Sequence, residues 1–376
     1  MKRTSQIVEG AFHAPYRLAI APLCLDSFKL PLSEFPAGGY NPPPFRKSRV
    51  MGSRGKGLQF HAYAGRLSVK TLLIVGLETV VGANLAATWS ERTRVIGLST
   101  GPEINVSGCE TAICDRSPAD TVRKWLSQTQ ATHLIFCGAA ARSAWEPATK
   151  SLNDFAAGQW AAGAAEADAH FTLISSDAVF TGPWMFHEEG SSALCDSAEA
   201  KSIRATEDRV REACPKSLIV RTNTFGWSPI GANGGWLESV RTALEDNRSI
   251  DLDPISHATP ILASDLADYL EAALEDELTG VFHIAGAERV SPHQFARQLA
   301  LAFEFAAPES RTVRELSTRP TGFGRGETSL QTRRFRNEYD CTMPLLGEGI
   351  ARLLEQNRSG YRDRLSGEII CTDKAA

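Results

Sequence analysis

The segment with the clearest chemical potential is Gly76-Leu-Glu-Thr-Val-Val-Gly82, two glycines framing the end of a short apolar run. Glycines at a strand-to-helix turn let the backbone approach a pyrophosphate. The helix N-terminus adds free N–H groups and a positive dipole end. The same two glycines would equally serve a turn that only packs a strand closely against a helix. Thr79 stands where the middle glycine of a Gly-x-x-Gly-x-x-Gly loop would be, and Glu78 brings a carboxylate beside the expected pyrophosphate. Leu98–Thr100, ending the next apolar run, offers neither an acid for a ribose diol nor an arginine for a 2′-phosphate.

A second chemical cluster is His187-Glu-Glu189 with Asp196. His187 could donate a proton, or be a solvated loop histidine beside two carboxylates. The triplet is not a His-Glu-x-x-His zinc helix, and no Gly-x-Ser-x-Gly nucleophile elbow occurs. The eight cysteines (24, 109, 114, 137, 195, 214, 341 and 371) form no Cys-x-x-Cys pair and no metal-like spacing with the eight histidines. They read as reduced thiols of a cytoplasmic protein with no metal centre.

The elements that must position these groups alternate. Short apolar runs predict strands at Val69–Gly76, Arg94–Leu98, His133–Cys137, Phe171–Ser175 and Ser217–Arg221. Helical patterns fall between them at Glu78–Trp89, Pro118–Gln130, Leu152–Ala167 and Ala198–Ala213. Such alternation implies right-handed crossovers and an α/β fold, a Rossmann-type doubly wound parallel sheet. Segments after Arg221, with a turn at Gly231–Trp236 leading into a helix Leu237–Glu245, would form a small interleaved C-terminal substrate lobe over the strand ends.

The formal net charge of -4 over 376 residues hides an asymmetry. Residues 1–70 carry 11 Lys and Arg against three acids, a net of +8. The remaining 306 carry 29 against 41, a net of -12, and the two give the overall -4. Residues 1–68 are also Pro- and Gly-rich and lack sustained periodicity, so they read as a poorly ordered extension. A basic binding arm or an organelle-targeting peptide are the other readings. The domain then spans 69–356, with a nucleotide-binding core over about 69–222, a substrate lobe mainly from 223–320, and a tail at 357–376. The overall charge gives no reason to expect a nucleic-acid partner, and no apolar run approaches the roughly 18 residues of a membrane span.

Several ordered segments carry a family resemblance: Leu173-Ile-Ser-Ser-Asp-Ala-Val-Phe-Thr-Gly182, Leu218-Ile-Val-Arg-Thr-Asn-Thr-Phe-Gly226, His257-Ala-Thr-Pro-Ile-Leu-Ala-Ser-Asp-Leu-Ala267, Gly280-Val-Phe-His-Ile-Ala-Gly286 and Arg319-Pro with Ser329-Leu-Gln-Thr332. From about Val69 to Leu354 the chain resembles the extended short-chain dehydrogenase/reductases, most of all their dTDP-4-dehydrorhamnose reductase branch. The resemblance implies an NADP or NAD cofactor, a nucleotide sugar or related metabolite as partner, and a homodimer.

The family's chemistry uses a Tyr-Gly-x-Ser-Lys-x-x-x-Glu helix. Its lysine lowers the tyrosine pKa so that the phenol can shuttle a proton to a sugar carbonyl, while the nicotinamide carries hydride. Carried over by resemblance, Lys201 matches the lysine, Ser176 the supporting Ser/Thr and Asn153 the structural Asn. The tyrosine position, four before Lys201, is then Ser197, and residues 64–268 contain no tyrosine at all. A serine hydroxyl is far too weak an acid to replace a phenol. The resemblance further implies cofactor contacts from Gly76, Thr79, Gly82, Asp115, Ala139, Ala140 and Lys201, and substrate contacts from Asp177, Phe180, Asn223 and Trp227. Trp184 and Trp227 either line the cleft or pack, Asp177 could cap its own turn, and Arg221 could also reach ligand. The sequence thus points to an NAD(P)-binding, sugar-nucleotide reductase- or epimerase-like protein with weakened or lost redox catalysis. A catalytically silent binding or regulatory module is the alternative.

Overall fold

A computed structural model of the chain describes residues 71–114, 119–146, 155–230, 234–250, 252–308 and 322–366. The extension at 1–68 and the candidate residues Asn153 and Asp115 lie outside the described residues. In chain order the elements begin with β1 (Thr71–Val75), α1 (Val80–Trp89), β2 (Arg94–Ser99), β3 (Glu110–Ile113), α2 (Ala119–Thr129), β4 (His133–Phe136), α3 (Phe155–Glu166) and β5 (His170–Ser176). They continue with α4 (Ala198–Ala213), β6 (Leu218–Thr222), β7 (Thr224–Phe225), α5 (Trp236–Glu245), β8 (Ile261–Leu262), α6 (Ala263–Glu275), β9 (Gly280–His283), α7 (Pro292–Ala302), α8 (Arg333–Tyr339), α9 (Leu346–Arg358) and α10 (Tyr361–Ser366).

Seven strands pair in parallel in the order β3-β2-β1-β4-β5-β6-β9. This is the doubly wound order with its reversal between β1 and β4, extended by one strand. Side chains alternate across the strands, so each face feeds its own apolar layer. Leu72, Ile74, Ile135, Ile174, Leu218 and Val220 pack with Val81, Leu85 and Trp89 of α1 and Leu266 and Leu270 of α6. Leu73, Val75, Leu134, Phe136, Phe171, Leu173 and Ile219 pack with α2, α3 and Val210 of α4. Burial on both faces explains why these strands read as continuous apolar runs.

β3 was not legible in the sequence. Glu110-Thr-Ala-Ile113 is a half-exposed edge strand, without the apolar run that a central strand needs. Helix starts follow local chemistry instead. Ser197 caps α4 by accepting the Ala200 N–H at 3.1 Å. Ser291 and Gln294 form a reciprocal capping box at α7, with Pro292 entering the first turn. The small parallel pair β7–β8 belongs to the segments after Arg221. The fold continues past residue 356. Leu365 of α10 is buried in the core, the Tyr361 hydroxyl donates to Asn84 Oδ1 at 3.2 Å, and Arg364 donates to the Ala87 carbonyl at 2.7 Å. Among the described residues, no helix is long and apolar enough to cross a membrane.

Candidate functional site

The turn after β1 is closed by its own backbone. Gly76 adopts φ +102°, and a Cβ there would sit 2.0 Å from the Cys137 carbonyl oxygen at the end of β4. A Cβ on Gly82 would sit 2.2 Å from the Gly76 carbonyl oxygen. Glycine is therefore required at both positions by a close approach, not merely tolerated. Thr79 acts as the N-cap of α1: its hydroxyl accepts the Gly82 N–H at 3.0 Å and donates to the Gly76 carbonyl at 2.8 Å. It thus fastens the turn where the family loop keeps a third glycine. Among the described residues, the first-turn amides of Val80 and Val81 find no carbonyl, as at any helix start. A narrow glycine turn opening on free amides fits a pyrophosphate.

Glu78 does not stand free beside that turn. Its Oε2 accepts the Thr100 N–H at 3.2 Å and its Oε1 accepts the Thr100 hydroxyl, so the carboxylate is anchored at the end of β2. Ala139 and Ala140 lie in a short helical turn after β4, and Ala140 is buried against Val179, Phe180 and Ile203.

Ser176 ends β5, fully buried. Its hydroxyl accepts the Ala178 N–H at 3.0 Å and donates to Asp177 Oδ1 at 3.3 Å. Asp177 is a buried hub of four donors. Besides Ser176 it accepts the Ala144 N–H at 2.9 Å, Asn223 Nδ2 at 2.8 Å and the Thr328 hydroxyl at 2.7 Å. Burial raises its carboxyl to about 6, with Thr328, Asn223 and Ala144 pulling the other way. One carboxylate thus ties the loop after β4, the end of β6 and the returning C-terminal segment to the end of β5. Asp177, Phe180, Asn223 and Trp227 have no exposed surface in this structure. Trp227 is covered by the Arg362 guanidinium at 4.6 Å, whereas Trp184 is 70% exposed.

His187 is neither of the two things its sequence context suggested. It is buried, stacked on Phe180 at 4.7 Å, with Nδ1 against the Ser191 hydroxyl at 3.1 Å and Nε2 against the Glu327 carbonyl at 3.0 Å. Burial lowers its pKa, which makes it a neutral packing residue. Glu188 pairs with Arg333 at the surface. The Glu189 carbonyl accepts from Arg221, and its carboxylate accepts the His283 N–H at 3.1 Å.

Arg221 also turns inward. Its Nε and Nη2 clamp Glu207 Oε1 and Oε2 at 2.9 and 2.7 Å, and Ser175 donates to the same carboxylate at 2.6 Å. This buried fork fixes the rotation of α4. Val210, Glu207, Ile203 and Ala200 form its buried stripe, and Ile203 meets Ala140, Val179 and Phe180. At 100° per residue, Lys201 lies about 160° around the helix from Ile203. Its side chain is 58% exposed and its ionic partner, Asp196 at 3.5 Å, is 94% exposed. Lys201 therefore does not share a face with the buried stripe, and Ser197, the helix cap, does not either. The buried stripe suits a register two residues along from the one read at Lys201. Glu199-Ala-Lys-Ser-Ile-Arg-Ala-Thr-Glu207 matches Tyr-Gly-x-Ser-Lys-x-x-x-Glu without a gap at Ser202 and Glu207, which places Glu199 at the tyrosine and Ile203 at the lysine. The closing Glu207 was the available signal, since Lys201 has Ala205 four residues on.

Sequence reasoning also missed a group of acids beside Asp177. Glu146 faces Arg142 at 3.3 Å, and burial raises its carboxyl to about 7. Glu238 accepts the Ser228 N–H at 2.5 Å and is likewise raised by burial. Trp145 and Trp236 pack nearby as a tilted pair, centroids 4.9 Å apart and 44° between planes. Among the described residues no group of His, Cys, Asp and Glu could hold a metal ion.

The comparisons agree with this architecture. The probable low-salt glycan biosynthesis reductase Agl14 of Haloferax volcanii is 24% identical over 294 residues, covering 74% of this chain and 96% of that protein. The dTDP-4-dehydrorhamnose reductase of Salmonella typhimurium is 26% identical over 261 residues, covering 63% and 82%. Among solved structures, dTDP-4-dehydrorhamnose reductase from Bacillus anthracis in complex with NADP superposes with a TM-score of 0.63 at 17% identity, over 77% of this chain and 99% of that one. The Bordetella bronchiseptica enzyme WbmH in complex with NAD+ gives 0.60 at 14% identity, over 77% and 99%. With the RmlD substrate-binding domain matching residues 70–359, the chain belongs to that family of sugar-nucleotide reductase-like proteins.

Proposed function

We propose that this protein binds a nicotinamide dinucleotide and a nucleotide sugar in the family crevice, with its redox chemistry weakened or lost. What supports this reading is the face that α4 turns inward, which seats Ile203 and not Lys201, together with the register that sets Ile203 and Glu199 against the family's lysine and tyrosine. Ile203 offers no ammonium to lower the pKa of a neighbouring acid. Glu199 is a carboxylate where the family's chemistry uses a phenol. The fold's binding apparatus is retained alongside: Gly76, Thr79 and Gly82 shape a turn suited to a pyrophosphate. When bound, the dinucleotide would supply hydride chemistry. The residues of this chain would hold and orient it: the turn at its phosphates, and the wall built on Ser176 and Asp177 behind the substrate.

The full-length protein titrated with NADH and NADPH, followed by nicotinamide fluorescence, should bind at least one of them. Addition of a dTDP-4-keto-6-deoxy sugar should then leave nicotinamide absorbance unchanged, or consume it about 10²- to 10⁴-fold more slowly than an intact reductase does, the range expected for loss of a positioned general acid. Turnover at the rate of an intact reductase would refute the loss, and no binding of either nucleotide would refute the retained cofactor site.

A further inference from the structure

Two segments distant in sequence meet at the end of β2. Glu78 leaves the turn after β1 and grips Thr100, the residue directly after β2, through both carboxylate oxygens. In doubly wound sheets the adenosine ribose is read at this point. An acid there accepts the 2′-hydroxyl of NAD, and an arginine there takes the 2′-phosphate of NADP. Residues 98–100 supply neither, and Ser99-Thr-Gly-Pro-Glu-Ile-Asn105 contains no lysine or arginine.

We infer that Glu78 supplies the ribose-reading carboxylate from the neighbouring turn, and that it makes the chain selective for NAD(H) over NADP(H). The inference rests on the dinucleotide-binding reading above and names the residue that would set its cofactor preference.

Each Glu78 oxygen receives one hydrogen bond from Thr100 and keeps a lone pair for a further donor, which ribose hydroxyls supply. The Thr100 contacts also answer the objection that a carboxylate in this turn would repel a pyrophosphate. The side chain is held at the end of β2, while the first-turn amides of Val80 and Val81 have no partner among the described residues. A 2′-phosphate replaces that hydroxyl donor with a charge of about -1.5 to -2. Two like charges a few ångströms apart at a half-buried site disfavour binding by about ten- to a hundred-fold.

The test is a pair of fluorescence titrations of the full chain with NADH and with NADPH, repeated on Glu78→Gln. The wild type should bind NADH at least about ten-fold more tightly. Glu78→Gln, which keeps the shape but removes the charge, should tighten NADPH, weaken NADH and bring the ratio to within about three-fold of unity. A wild type that prefers NADPH, or a ratio unmoved by the substitution, overturns the inference while leaving dinucleotide binding intact. Absence of binding by either nucleotide overturns both. The wild-type ratio is decisive by itself, so the inference stays falsifiable even where the variant folds poorly.

Discussion

Replacement of Glu207 by alanine should unfold the protein more readily than any single change at its surface. The Glu207 carboxylate is buried, and it receives Arg221 Nε at 2.9 Å, Arg221 Nη2 at 2.7 Å and the Ser175 hydroxyl at 2.6 Å. Alanine leaves a buried guanidinium with only the Glu189 carbonyl at 3.0 Å and the face of Phe180 at 5.1 Å. An uncompensated buried charge costs about 3–5 kcal/mol. For a domain of this size that is a fall in Tm of about 6–20 °C. Removing both partners with apolar residues of similar volume, Glu207→Leu with Arg221→Met, takes away the unpaired charge as well. It should return most of the loss, to within about 2 kcal/mol of wild type. Urea unfolding followed by circular dichroism, with wild type, Glu207→Leu, Arg221→Met and the double variant compared as a cycle, measures the coupling. A loss under about 1 kcal/mol in Glu207→Ala, or additive losses in the double variant, would refute the claim that this pair fixes the rotation of α4.

Lys201→Ala should change stability by less than about 0.5 kcal/mol and nucleotide affinity by less than two-fold, because its ion pair with Asp196 lies in solvent; a large loss of binding in a titration would restore Lys201 to the site. Gly76→Ala should cost about 3 kcal/mol or more in thermal unfolding, since it combines φ +102° with a contact 2.0 Å from the Cys137 oxygen. Asp177 has a native pKa raised to about 6, above its ordinary value of 3.8. Its protonated form is the better accommodated one, so its stabilising contribution is complete below about pH 4 and is lost as pH rises through about 6. The difference amounts to about 3 kcal/mol, and Asp265, raised to about 7 by burial, acts in the same direction. Urea midpoints measured across pH 4–8 for wild type and Asp177→Asn should show a smaller decline with rising pH in the variant; identical slopes would refute the assignment.

The sheet was legible because burial on both faces writes itself into consecutive residues. Leu72-Leu-Ile-Val75, Leu134-Ile-Phe136 and Leu218-Ile-Val220 are strands by that signal alone. α4 was legible at Ala198–Ala213, since its apolar stripe repeats at helical spacing. β3 was not, because an edge strand needs little apolar surface and Glu110-Thr-Ala-Ile113 has little. The buried polar groups were harder still. Nothing local distinguishes a histidine such as His187, held by Ser191 and the Glu327 carbonyl, from one in solvent.

The sequence by itself therefore determined the alternation of elements, the position of the glycine turn after the first strand, and the absence of any tyrosine where the family keeps its acid. Only the tertiary structure decided which side of α4 faces inward and where the Glu78 carboxylate goes. Apolar periodicity tells a helix that one stripe is buried, but an ion pair from β6 to Glu207 selects the rotation that seats Ile203 rather than Lys201. Likewise Glu78 meets Thr100, 22 residues away along the chain, because parallel pairing of β1 with β2 brings their C-terminal ends side by side.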